Sequence, residues 1–300
     1  MKKTCIIIAG PTAIGKTALS IGLAQQFSTQ IISADSRQCF KELNIGVAKP
    51  SLSQLQQVSH YFINSHSISE TVSAIAFENY ALQSIQKIFE KADVALMVGG
   101  TGLYINAFCE GMDPIPAVSA AIRNNIIENY KEKGMEWLRE ELLNTDQVYA
   151  EKGEMQNPQR MMRALEVKIS TGNSILSYQR ANKKNRDFDI IKIGLELPRE
   201  ILYHQINLRV DHMIQEGLKE EVEALTQYAS LNALQTVGYK ELFDYFNGIT
   251  TYSAAVELIK QNTRRYAKRQ LTWFKKDESY HWFAPDLKSV SEFVNSSIKK

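Results

Sequence analysis

Cysteine is scarce: the 300 residues contain three, Cys5, Cys39 and Cys109, widely separated and forming no C-x-x-C pair. That argues against a zinc module and fits a reduced compartment. The five histidines are scattered without metal-ligand spacing. No apolar run approaches the length of a membrane span. The run Cys5 to Ala9 near the N-terminus is too short for the apolar region of a signal peptide. Internal repeats and low-complexity tracts are absent. Charge of one sign is also lacking, the formal net charge being +2, so overall charge announces no nucleic-acid partner. A soluble, cytoplasmic protein is expected.

What is present is an apolar fraction of 44%, enough in a chain this long to bury a core without disulfides or metals. Cys5 to Ala9, Ile31 to Ala34 and Val94 to Val98 read as buried strands. Thr17 to Phe27 and Phe77 to Lys91 read as helices between them. Such alternation predicts an α/β fold, a parallel sheet with helices on both faces. After Gly111 the pattern changes to helical periodicity without strands, and Asn157-Pro158 supplies an N-cap and a first helical residue. Ile190 to Leu197 then reads as a returning strand, followed by long amphipathic helices over Ile201 to Leu225 and Tyr252 to Lys276. The expected organisation is core over 1–112, an all-helical insertion over 113–187, and a return to the core over 188–300.

Gly10-Pro11-Thr12-Ala13-Ile14-Gly15-Lys16-Thr17 matches G-x-x-x-x-G-K-[ST] between a strand and a helix. In such a P-loop, backbone N–H groups turn inward around phosphate oxygens and the helix N-terminus favours negative charge. Lys16 would neutralise phosphate, and the Thr17 hydroxyl could ligate Mg²⁺. The loop does not by itself select the phosphate compound, and a nucleotide such as ATP stays open. A kinase or ATPase usually carries an acid at the end of a neighbouring strand. Here Val94 to Val98 runs into Gly-Gly-Thr-Gly-Leu-Tyr, and the strand-terminal acid near the loop is Asp35. It could assist Mg²⁺ or act as a general base.

Two basic stretches stand out: Arg180, Lys183, Lys184 and Arg186, and Arg264, Arg265, Lys268, Arg269, Lys275 and Lys276. Either could be a solvated face or an RNA-binding edge. On the second, Arg264, Lys268 and Lys275 share one helical stripe, with Tyr266, Gln270 and Trp273/Phe274 on the next. Arg160 and Arg163 lie three apart on one helix face, placed for phosphate or for ion pairs with Glu154 or Glu166.

Several separated blocks occur in order: the phosphate loop; Ile32-Ser33-Ala34-Asp35-Ser36-Arg37-Gln38; Ile45-Gly46 with Ala48-Lys49-Pro50; Val98 to Tyr104; Asn157-Pro158-Gln159-Arg160 with Arg163 to Val167; Val237 to Glu241; and Tyr266 to Gln270 with Thr272-Trp273-Phe274. On these blocks the sequence resembles the bacterial tRNA dimethylallyltransferases, nearly from end to end. The resemblance implies transfer of a dimethylallyl group from dimethylallyl diphosphate to N6 of the adenosine 3′-adjacent to the anticodon. It implies Mg²⁺ as cofactor and Asp35 as proton acceptor. Thr101 is implied beside the amine or the donor. The implied tRNA contacts are Asp35, Ser36, Arg37, Gln38 and Thr101 around a flipped base, and Arg123, Gln159, Arg160, Met161, Met162 and Arg163 in an insertion that grips the anticodon stem-loop. A monomer acting away from membranes is expected.

The chain departs from the family pattern at Asn44 and Asn64, where the family carries Asp, and at Val47, where it carries Thr. Two other readings remain: a small-molecule kinase, and an inactive relative that binds tRNA without catalysis.

Overall fold

The computed structural model describes residues 2–179 and 183–298. Six parallel strands form one sheet: β1 (Thr4–Ala9), β2 (Ile31–Ala34), β3 (His60–Tyr61), β4 (Val94–Gly99), β5 (Asp189–Leu195) and β6 (Tyr280–Phe283). Their spatial order is β3-β2-β4-β1-β5-β6. From β1 the chain first moves towards β3, then returns through β4 and continues towards β6. Parallel crossovers are right-handed, so these two directions put helices on opposite faces, as expected for a doubly wound sheet.

β1 is central and all six of its residues are buried. Its Ile6 and Ile8 pack with Leu96 of β4 and Ile193 of β5. Leu19 and Leu23 of the Lys16–Gln26 helix and Val290 and Val294 of the Leu287–Ile298 helix complete the cluster. β3 and β6 were not anticipated. One has two residues and the other, Tyr-His-Trp-Phe, is a half-exposed edge with no alternation.

The chain divides into two compact units, one of residues 1–111 with 185–300 and the other of residues 112–184. The second is helical throughout its named elements. Ala120–Thr145, interrupted at Gly134, packs with Gln147–Lys152 and Pro158–Thr171 around Ile126, Leu138, Leu142 and Leu165. Asn157 caps the last helix, its side chain accepting from the N–H groups of Gln159 and Arg160, with Pro158 in the first turn.

The single helix expected over Ile201 to Leu225 is instead two, Arg199–Gln215 and Leu218–Ala224. Gly217 separates them at φ +99°, a left-handed conformation that a side chain would resist. Beyond the break, the second helix places Glu221 against the backbone of residues 44–46. The first basic stretch is not a continuous surface either. Arg180 lies outside the described residues, and Arg186 turns inward, donating to Glu78 at 3.0 Å and to the Phe108 carbonyl at 2.7 Å.

Candidate functional site

The phosphate loop follows the carboxyl end of β1, Asp35 follows β2, and Gly100-Thr101 follows β4. All lie at the carboxyl edge of the sheet near the point where the winding reverses, where α/β sheets bind ligands. A cavity of about 860 Å³ opens there. Thr12 to Thr17 line one side, Asp35, Ser36, Arg37 and Gln38 another, and Gly46, Val47 and Ala48 a third.

Gly10 and Pro11 do not line the cavity; their carbonyls accept hydrogen bonds from the Lys16 ammonium at 2.9 and 2.7 Å. The residue is half-buried by area, but its ammonium is enclosed. Burial, reinforced by the Arg209 guanidinium and opposed by Asp35, lowers the Lys16 pKa to about 7. Arg209 itself donates to the Thr12 hydroxyl at 3.2 Å, its pKa lowered by burial and partly restored by Asp35. Two basic side chains thus stand beside the loop, an arrangement that would suit a phosphate group.

Sequence motifs alone do not single out Arg209. The available signal was its place beside Leu202, Ile206 and Val210, the buried stripe of its amphipathic helix. An arginine on that stripe needs an internal partner. Gln270, expected on an RNA-facing stripe, instead turns towards the phosphate loop. It is buried and joins the loop to the end of β4, accepting from Thr12 N–H at 3.0 Å and donating to the Gly100 carbonyl at 2.9 Å.

Asp35 heads a tight turn. Its Oδ1 accepts from the N–H groups of Arg37 at 2.8 Å and Gln38 at 3.3 Å, which orients the carboxylate. Thr101 is not part of the cavity wall; its hydroxyl accepts from Ser36 N–H at 3.1 Å and so ties β4 to the Asp35 turn. The Gln38 amide is already committed, donating to the carbonyls of Val47 and Ala48. Nearby Cys39 is buried, and burial and then Asp35 push its thiol up to about 12.

In the helical unit, Gln159, Arg160 and Arg123 are exposed, and Met162 and Arg163 are half-exposed. Met161 is completely buried, so its side chain offers nothing to a ligand and belongs to the core. On the Tyr252–Phe274 helix the expected basic and aromatic stripe also divides. Arg264 bonds Asn207, Lys275 pairs with Glu196, and Phe274 is core. Arg265, Lys268, Arg269 and Trp273 remain exposed and, with Lys276, line a shallow surface depression.

Among the described residues no group of three or more His, Cys, Asp or Glu side chains could hold a metal. A cation at this site would use the Thr17 hydroxyl, which lines the cavity at the start of its helix, together with oxygens of a bound phosphate. No helix among the described residues is long and apolar enough to cross a membrane.

Fold and site together define a phosphate-loop α/β protein whose anion subsite and strand-end carboxylate share one cavity. The pattern of the family described as IPP transferase matches residues 38–277. The chain belongs to the IPP transferase family. It is 46% identical over 305 residues to the tRNA dimethylallyltransferase of Flavobacterium johnsoniae, covering 99% of both chains. A relative of the same name from Christiangramia forsetii is 47% identical over 300 residues, with 99% of each covered. Among solved structures, the full-length tRNA isopentenylpyrophosphate transferase of Bacillus halodurans superposes with a TM-score of 0.72 at 33% identity, covering 99% of this chain and 96% of that one. A eukaryotic dimethylallyltransferase described as acting on tRNA gives 0.71 at 28% identity, covering 90% of this chain and 69% of that one.

Proposed function

We propose that the chain transfers a dimethylallyl group from dimethylallyl diphosphate to N6 of the adenosine 3′-adjacent to the anticodon in tRNAs, releasing diphosphate. The observation that carries this reading is the single cavity joining Lys16, Arg209 and the phosphate loop to Asp35, in a chain of the IPP transferase family. A bond forms between N6 and the allylic carbon as that carbon's bond to the diphosphate oxygen breaks. Lys16, Arg209 and the loop amides stabilise the charge that grows on the departing diphosphate. Asp35 takes the proton that N6 loses, its other oxygen lobe held by the turn. Thr101 acts through Ser36 on the same turn. Mg²⁺, held by Thr17 and the diphosphate, would supply further charge neutralisation.

The target base must leave its stack to reach Asp35. Ser36, Arg37 and Gln38 surround the place where it would lie. Arg123, Gln159, Arg160, Met162 and Arg163 would contact the anticodon stem-loop, with Met161 buried beneath them. The exposed Arg265, Lys268, Arg269 and Trp273 suit further phosphate and base-stacking contacts. A tRNA substrate puts the reaction in the cytoplasm, and we read the working form as a monomer.

The test is mass analysis of nucleosides from unmodified tRNA incubated with protein, Mg²⁺ and dimethylallyl diphosphate, beside an incubation with ATP in place of the donor. A dimethylallyl adduct on that adenosine is expected. tRNA binding without an adduct would favour an inactive relative. ATP consumption with neither binding nor transfer would favour a kinase.

A further inference from the structure

Glu221 stands in the short helix Leu218–Ala224 that follows the break at Gly217. It does not line the cavity. Its carboxylate nevertheless collects four donors. Oε2 accepts from Asn44 N–H at 3.1 Å and Ile45 N–H at 2.8 Å, and Oε1 accepts from Gly46 N–H at 3.0 Å and the Tyr239 hydroxyl at 2.6 Å. Three successive backbone amides aimed at one carboxylate form an anion nest closed by the protein's own acid. Hydrogen bonds to a charged acceptor are the stronger kind, so this loop is firmly held.

Tyr239 fixes the same loop by contact. It is fully buried, and a Cβ added at Gly46 would lie 2.5 Å from its ring. The residue at 46 must therefore be glycine for the ring to close on the loop. Burial, and then the neighbouring Glu221 charge, raise the phenol's pKa, so its hydroxyl remains a donor.

The loop leads into the cavity wall. Val47 and Ala48 follow directly, and both carbonyls accept from the Gln38 side chain, at 3.3 and 3.0 Å. The Gln38 backbone N–H in turn donates to Asp35 at 3.3 Å. A continuous bonded path thus runs from Glu221 through residues 44–48 to Gln38 and the Asp35 turn. The phosphate subsite is built differently, by Arg209 on Thr12 and Gln270 between Thr12 and Gly100.

We infer that Glu221 is a positioning residue that sets the wall against which the acceptor nucleotide is seated, without acting on the prenyl diphosphate. The inference rests on the proposed reaction for the identity of the two substrates. Glu221→Gln puts an amide N–H in place of one acceptor oxygen, opposing the backbone donors of the loop. Tyr239→Phe removes a single bond and keeps the ring on Gly46.

The experiment measures transfer kinetics against both substrates, and equilibrium binding of a fluorescent anticodon stem-loop, for the parent chain and both variants. Expected for Glu221→Gln is a rise of about tenfold in KM for tRNA and in stem-loop Kd, the equivalent of one charge-assisted hydrogen bond, with KM for dimethylallyl diphosphate within about twofold. Tyr239→Phe should move the same tRNA constants in the same direction by about threefold. A purely structural role would lower melting temperature and active fraction without separating the two KM values. Unchanged tRNA constants, or equal changes for both substrates, would overturn the inference. If Glu221→Gln does not fold, Tyr239→Phe decides by the same criteria. Stem-loop binding that weakens as stated in the variants, while the parent chain shows no transfer, would uphold the positioning role and overturn the reaction instead.

Discussion

The Arg163 guanidinium lies 3.1 Å from the Glu166 carboxylate on the same face of its helix, and Arg123 approaches the other Glu166 oxygen at 3.7 Å. Glu166 is buried, while the arginine side chains keep 37% and 60% of their surface exposed. One acid therefore orients two arginines; Arg163 also donates to the Pro116 carbonyl at 3.5 Å, and the exposed part of each guanidinium faces solvent where a phosphate could bind. Arg160, in the same helix, has no ion pair among the described residues. Arg160→Ala and Arg163→Ala should each weaken stem-loop binding and lower the slope of log K against log salt by about 1. An unchanged slope would remove that arginine from the RNA interface.

Lys16 gives the donor site a pH dependence. Its pKa of about 7 leaves the ammonium largely neutral at pH 8, whereas a bound diphosphate would favour the charged form. Binding should take up about 0.9 proton at pH 8 and about 0.1 at pH 6 in excess of the diphosphate's own titration. Calorimetry in buffers of different ionisation enthalpy reads this directly, and Lys16→Arg, which stays charged, should abolish the uptake. The stability consequence has the opposite pH sense. A lysine whose folded pKa is lowered from 10.5 to about 7 penalises the fold most below pH 7. That penalty is relieved as pH rises towards 10.5.

Asp35→Asn keeps an oxygen to accept from Arg37 and Gln38 N–H but cannot take the proton of N6. Turnover should fall by about 10²- to 10⁴-fold while stem-loop binding changes little. Single-turnover transfer and binding anisotropy separate the two. Loss of binding equal to the loss of turnover would sink the general-base role.

Asn44 and Asn64, two of the departures from the family pattern, converge on one cation. The Lys49 ammonium donates to Asn64 Oδ1 at 2.6 Å, to Asn44 Oδ1 at 3.2 Å and to the Phe40 carbonyl at 2.7 Å. Its acceptors are neutral, and burial lowers its pKa despite the favourable influence of Glu221. Asn64→Asp should raise the Lys49 pKa and stabilise the fold by up to about 1 kcal/mol, the range of a partly exposed ion pair. Position 64 has φ +54°, which Asp tolerates nearly as well as Asn. Urea unfolding at low and high salt checks it; a variant less stable at both would show that the amide is needed.

Much of the site was legible because its signals are local. Gly10 to Thr17 are contiguous, and their place between one strand and one helix follows from the local pattern. Asp35 was legible as the polar residue ending an apolar run. Arg209, Gln270 and Glu221 were not, since each partner lies far away in the chain: Thr12 for the first two and residues 44–46 for the third. The broken helix at Gly217 was read through because the apolar period continues across it, while the glycine's left-handed φ interrupts only the backbone.

By itself the sequence determined the alternation of buried strands and helices, the phosphate loop, the strand-end acid and the helical insertion, since each depends on residue spacing over one or two turns. Only the tertiary structure decided which side chains complete the site. Packing brought Arg209 and Gln270 onto the loop, turned Arg186 and Met161 inward, and set Glu221 behind the opposite wall. An isolated polar residue on a helix has no preferred partner until the sheet orders the helices around it, and burial then requires its hydrogen bonds to be met.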